Sequence, residues 1–211
     1  MAKLHGVSFD LHNAWWQSIE PMPTFFPNTI TLSADLKSDS LLQALPTQGT
    51  HFIKDSFANL ALEEQSFIKL FEAQWYMASP TQETFTPFAS NLKINEATDS
   101  ESLSDWEQAW RGEENFAAIF TPSFLENDTV RFFSVEHDDK RSGITTFFDG
   151  QSLGIYNLWG DKSLISCLLS HISTLYPDTP IVGYGDEQEV NSLDTWGFKP
   201  LGPLAVWGRF E

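Results

Sequence analysis

The chain has 211 residues with 29 acidic and 12 basic side chains, a formal charge of −17. A field of that sign repels phosphate backbones and anionic lipid faces, so nucleic acid and membrane are set aside as partners; it attracts a cationic small molecule or basic peptide, although acidity for solubility explains the same number. An apolar fraction of 41%, with 8 Trp and 18 Phe, suffices for a folded core and excludes a disordered chain.

In chain order, residues 30–32 read as a short strand, 38–45 as a brief helix stopped by Pro46, and 51–57 as a loosely alternating strand. The pattern then predicts a helix over 62–71 and a strand over 73–77, followed by a Pro-, Thr- and Ser-rich linker over 79–90. This divides the chain into a smaller α/β region, 1–90, and a second domain, 91–211. Residues 92–97 can form a strand. Thr98 or Ser100 then caps a helix whose Leu103, Trp106 and Trp110 share one face, ended by Gly112. After an apolar connection over 116–124, strands are expected over 130–135, 143–148 and 153–158. The charged turn 136–141 joins the first two, and Asp149-Gly150, suited to a tight hairpin, joins the last two.

After Trp159-Gly160 the apolar period changes from two to 3.6. Leu164, Leu168, Leu169, Ile172 and Leu175 make the strongest amphipathic helix of the chain, ended by Pro177. A strand over 180–183, a short helix over 189–195 and a last strand over 201–207 complete the order β, α, β, β, β, α, β, α, β from Leu92.

That order, together with Asn191-Ser-Leu-Asp-Thr-Trp-Gly197-Phe198-Lys199-Pro200-Leu201-Gly202, resembles the GNAT (GCN5-related N-acetyltransferase) superfamily, and in particular divergent bacterial members with an N-terminal extension. The resemblance implies a mixed, mostly antiparallel sheet flanked by helices. It also implies transfer of an acyl group from acetyl-CoA, or another acyl-CoA, to a small-molecule or peptide amine. A non-catalytic acyl-CoA-binding or protein-interaction module on the same fold is the alternative. The segment 66–75 loosely echoes 197–207, either by chance or because the front region is a degenerate partial GNAT copy.

Acetyl transfer needs a phosphate cradle, a polarised thioester carbonyl and a neutral amine. A strand entering a helix N-terminus supplies the first, because unpaired N–H groups and the positive dipole end face the phosphates. Here that junction is Leu158-Trp159-Gly160-Asp161-Lys162-Ser163. The family pattern places Gln or Arg, two residues, Gly, one residue, then Gly or Ala; Gly160 fits, whereas Asn157 and Lys162 depart from it and Asp161 brings a negative charge. Lys162 and Ser163 are the residues able to meet phosphate, and a turn glycine beside a solvated lysine is the competing reading. By resemblance, backbone amides of Tyr156, Asn157 and Leu158 face the thioester. The tyrosine many members carry as general acid falls on Leu193, which leaves Tyr184, or Tyr156, as substitutes, or as core tyrosines. Glu136 is the base candidate, with His137, Glu187 and Glu189 as further options, all equally readable as solvated charges.

Lone Cys167 closes no internal disulfide, and the five histidines lack zinc-site spacing, so no metal is expected. With no signal-peptide pattern over residues 1–10 and no apolar run near ~18 residues, the expected compartment is the cytoplasm.

Overall fold

The structure is a computed structural model that describes residues 2–79, 92–112 and 117–210. All but the first residue of the expected linker lies outside them. The chain forms two compact units, one of residues Met1–Trp75 with Leu201–Glu211, the other of Tyr76–Pro200. The sequence-based boundary at residue 90 differs from this division, in which the last strand returns to the first unit.

In the first unit, β1 (Phe9–Leu11), β2 (Trp15–Ser18) and β3 (Thr29–Thr31) form an antiparallel meander. Helix α1 (Ser38–Leu42) then leads to β4 (His51–Asp55), which runs parallel to β3. A 3-10 turn, Glu63–Gln65, precedes β5 (Ile68–Ala78), whose residues through Trp75 belong to this unit. The helix expected over 62–71 is therefore absent. Its apolar residues look helical by spacing, but Ser66 adopts a left-handed conformation (φ 63°) that ends the turn, and Phe67 is buried as the strand begins. β1 and β2 were not anticipated, because three and four residues leave too short an alternation to read. Leu41, Ile53, Leu62, Phe67 and Trp207 centre this unit's core.

Lys54 is a costly residue for this unit. It is 8% exposed and lies 4.2 Å from the Trp75 ring, and burial lowers its ammonium pKa to about 7. A folded pKa below the unfolded ~10.4 means the unfolded chain holds more protons between those values. Stability is then expected to rise by up to ~1.4 kcal/mol per pH unit from about pH 7 to pH 10. Lys54→Met should remove that slope and raise stability at pH 7, as read by urea unfolding at several pH values; an unchanged slope would refute the assignment.

In the second unit, β6 (Ile94–Glu96), β7 (Val130–His137), β8 (Lys140–Phe148) and β9 (Leu153–Gly160) are antiparallel neighbours in that order, and β10 (Ile181–Gly185) is parallel to β9. Between β6 and β7, helix α2 (Ser100–Arg111) is capped by Asp99 rather than by Thr98 or Ser100, because Asp99 accepts from the Ser102 amide while Ser102 answers the Asp99 amide. Its buried Trp106 donates from Nε1 to the Phe133 carbonyl (2.8 Å) and packs edge-on to Phe120, Phe132 and Trp159. Glu107 is buried as well, accepting the amides of Ile119 and Phe120 at 2.8 and 3.1 Å.

Helix α3 (Lys162–Leu175) packs Leu164, Leu168, Leu169 and Ile172 onto Phe133, Ile144, Leu153, Ile155 and Ile181. Helix α4 (Glu187–Leu193) adds Val190 and Leu193 to the same core. The turn at Asp149-Gly150 is longer than a two-residue hairpin. Phe148 pairs with Leu153, and the Asp149 carboxylate collects the amides of Gln151 and Ser152 at 2.8 and 2.7 Å.

The unit ends in a 3-10 turn, Asp194–Trp196, left-handed Gly197 (φ 78°) and buried Phe198, before β11 (Lys199–Arg209). The first unit passes through the same series: 3-10 turn, left-handed Ser66, buried Phe67, then β5, also of 11 residues. Antiparallel strands, a helix and a parallel strand precede this series in each case, and the second unit also carries α2 between β6 and β7 and α4 between β10 and its 3-10 turn.

Candidate functional site

β9 departs from regular pairing in two places at the sheet's parallel step. The β9–β10 ladder holds only the rungs Leu153–Ile181 and Gly154–Val182 among the described residues. On its other edge β9 pairs Tyr156 with Thr145 but Trp159 with Gly143, so three steps of β9 face two of β8. The extra residue is a β-bulge, and Asn157 carries the strain with φ 48°. A bulge of this kind turns backbone amides near 156–158 out of the ladder at the point where β10 has stopped pairing.

The polar groups at this level come from several elements. Thr145 is fully buried beside Tyr156, and its hydroxyl has no hydrogen-bond partner among the described residues. Tyr156 folds over Gly154, where an added Cβ would lie 2.7 Å from its ring, and burial raises its phenol pKa. On β10, Tyr184 is pushed up to about 12, by burial first and then by the nearby Tyr156 and Glu189. Glu189, in the first turn of α4, accepts the Tyr76 hydroxyl at 2.9 Å. Burial is the main cause that raises its carboxyl pKa, against the lowering effect of that hydrogen bond. Room for the pair comes from two glycines of β10. A Cβ at Gly183 would sit 2.5 Å from the Tyr76 ring, and one at Gly185 would sit 2.5 Å from the Glu189 carboxyl carbon.

Glu136 is elsewhere. It stands at the end of the β7–β8 hairpin opposite Arg141, four rungs along β8 from Thr145. Its carboxylate lies 2.8 Å from Arg141 Nε but off the line of that N–H, so the contact is an ion pair rather than a hydrogen bond. The cleft it lines with Asp105 and Trp106 holds about 110 Å³, well below the ~300–1,000 Å³ of ordinary ligand pockets. The structure brings Tyr184 and Glu189 together and leaves Glu136 apart from both.

The strand-to-helix junction forms where expected, and its side chains close it. Gly160 (φ 98°) lies against β8 so tightly that a Cβ would come 2.1 Å from the Arg141 carbonyl. Trp159 packs over Gly143 and against Trp106, and Leu158 packs against the core. Asp161 caps α3: its carboxylate accepts the Ser163 amide at 2.8 Å and the Ser163 hydroxyl, and Lys140 Nζ is 3.1 Å away. The Ser163 hydroxyl and amide, followed by Lys140, hold its pKa down to about 2. Lys162 is exposed. A pyrophosphate at this helix start would compete with the Asp161 carboxylate, which already accepts the Ser163 amide and hydroxyl.

Among the described residues, no three His, Cys, Asp or Glu side chains gather as a metal site, and no helix is long and apolar enough to cross a membrane. No family model and no curated protein matches the sequence. Solved structures do match. A conserved protein of unknown function from Staphylococcus epidermidis superposes with a TM-score of 0.70 at 8% identity, over 95% of this chain and 92% of its own. A GCN5-related N-acetyltransferase from Kribbella flavida gives 0.63 at 11% identity, over 99% and 93%. The fold is GNAT-like. The matches run through both units. At these identities the likeness concerns architecture.

Sequence reasoning missed Tyr76, which reads only as a strand aromatic. Glu189 was one of several acids, and its signal was partial. Asp186-x-x-Glu189 reads as a capping box, and Asp186 does accept the Glu189 amide at 2.8 Å, but the Glu189 carboxylate turns to Tyr76 instead of back to the cap.

Proposed function

We propose that the second unit is an acyltransferase that moves an acyl group from a thioester of the acyl-CoA type to an amine where β9 and β10 part. The observation that carries this reading is the coincidence of the β9 bulge, the end of the parallel ladder and the Tyr76–Glu189 pair at one level of the sheet. Backbone amides around Tyr156, Asn157 and Leu158 polarise the thioester carbonyl, and the Thr145 hydroxyl is a further donor at that level. Glu189, rather than Glu136, takes the proton of the incoming ammonium, because its carboxyl is half-buried and raised toward the working pH. Tyr184 holds its proton to about 12, some 3.5 units above an ordinary thiol, so full transfer to a leaving thiolate would cost ~5 kcal/mol. It acts as a hydrogen-bond donor to the sulfur, and the second proton, which the nitrogen sheds as the C–S bond breaks and the amide forms, goes to the departing sulfur so that it leaves as thiol. The net charge of −17 favours a cationic acceptor, a small-molecule or peptide amine.

The first unit is read as a degenerate copy of the same fold. Its corresponding parallel step, β3 to β4, is bridged by Thr31, whose hydroxyl accepts the Ser56 amide at 2.7 Å and reaches Asp55 at 3.4 Å. The opening needed for a ligand is thus tied shut by side chains.

The Asp161 cap favours a second reading, a non-catalytic GNAT-fold module without acyl-CoA chemistry. Melting the whole chain with and without acetyl-CoA, together with a thiol-release assay on a panel of primary amines, separates the two. Ligand at 100 times Kd adds ~2.7 kcal/mol, which raises the melting temperature by ~5–10 °C for a chain of this size. A shift accompanied by amine-dependent thiol release supports transfer. A shift without release supports the module, and no shift with any thioester removes the acyltransferase.

A further inference from the structure

We infer that Asp161 occupies from within the place the fold reserves for a donor's pyrophosphate, so that the thioester is recognised through its acyl-pantetheine arm alone. This rests on the acyltransferase reading and narrows its donor. At a helix N-terminus the available N–H groups and the dipole recruit whichever anion reaches them. Here the anion is covalently attached. The Asp161 carboxylate takes the Ser163 amide and hydroxyl, its backbone N–H donates to the Arg141 carbonyl (3.2 Å), and its backbone carbonyl accepts the Ser142 hydroxyl (2.8 Å) and the Leu164 amide (3.0 Å).

Of the cations close by, Lys140 is engaged with Asp161 and Arg141 with Glu136, while Lys162 is exposed. Glu136, Asp138, Asp139 and Asp161 bring four negative charges to this end of the sheet, against three positive ones on Lys140, Arg141 and Lys162. A dianionic pyrophosphate would meet a net negative surface and would have to displace a charge-assisted cap. The pantetheine arm, being neutral, meets no such barrier on its way to the point where β9 and β10 part.

The test is a calorimetric titration of the whole chain with acetyl-CoA and with S-acetylpantetheine, paired with amide NMR in inorganic pyrophosphate. The wild type should bind the two thioesters within about threefold of each other, and millimolar pyrophosphate should leave the Ser163 and Leu164 amides unmoved. Asp161→Gly frees the amides, and glycine caps helices almost as well as aspartate, so the fold survives. That variant should prefer acetyl-CoA over S-acetylpantetheine by tenfold or more. A tenfold preference for acetyl-CoA in the wild type, or pyrophosphate shifts at Ser163, would overturn the inference and leave the acyltransferase standing. If neither thioester binds the wild type or Asp161→Gly, the acyltransferase itself falls and takes this donor assignment with it.

Discussion

Gly160→Ala is expected to destabilise the second unit by ~3 kcal/mol or more, the largest stability effect of a one-carbon change anywhere in the junction. Two costs combine. The residue sits at φ 98°, which an L side chain rarely adopts, and the new Cβ would lie 2.1 Å from the Arg141 carbonyl and 2.6 Å from Ser142 Cα. Both neighbours are backbone atoms of the adjacent strand, so no rotamer change relieves the clash. Only separation of β8 from β9 does, and that also breaks the Ser142–Gly160 rung and the Ser142 hydroxyl's bond to Asp161. Gly150→Ala is the matched control. Its φ of 94° imposes similar strain, but nothing lies within 4 Å of the added carbon, so it should cost ~1 kcal/mol. Urea melts of both variants make the comparison, and equal losses would show that the close approach at Gly160 is not what holds the junction.

Glu189→Gln should lower acyl transfer by ~100- to 10,000-fold while leaving the protein at least as stable at neutral pH. The amide keeps an oxygen to accept the Tyr76 hydroxyl and still passes the glycines at 183 and 185. The pH signs follow from the raised carboxyl. A folded pKa above the unfolded one means the group's stability contribution is complete below the unfolded value and is lost as pH rises through the folded value. A neutral amide escapes that loss. In activity the sign is opposite, since a base works ionised, so wild-type transfer should climb with pH through the raised Glu189 value, and the residual activity of the Glu189→Gln variant should lack that limb. Lower stability with an unchanged pH limb would make Glu189 a structural acceptor for Tyr76 and nothing more.

Much of the second unit was legible because its signals are local. The apolar period of 3.6 over Leu164–Ile172 marks the packed side of α3, and the apolar run through Val130–Val135 marks a strand buried on both faces. The short strands β1 and β2 and the false helix at 62–71 were not, since three residues carry no period and Ile68, Leu70 and Phe71 are exposed apolar residues of a strand whose spacing imitates a helix face. At the site, the junction at Trp159-Gly160 was readable from Gly160 and the change of period. That Asp161 turns its carboxylate onto Ser163 was half readable, because Asp before a helix is a preferred cap; that Lys140 locks it depends on a hairpin 21 residues upstream. The pairing of Tyr76 with Glu189 spans 113 residues and rests on two glycines that make space, and no local pattern encodes such a contact.

The most direct test of an acyl thioester site at the parted strands is amide NMR of the full chain titrated with S-acetylpantetheine. The expected result is a saturable set of shifts centred on Tyr156, Asn157 and Leu158 and extending to Tyr184 and Gly185, with the hairpin residues Glu136–Arg141 unmoved. Shifts confined to the hairpin, or none at saturating ligand, would contradict the placement of the chemistry at β9 and β10.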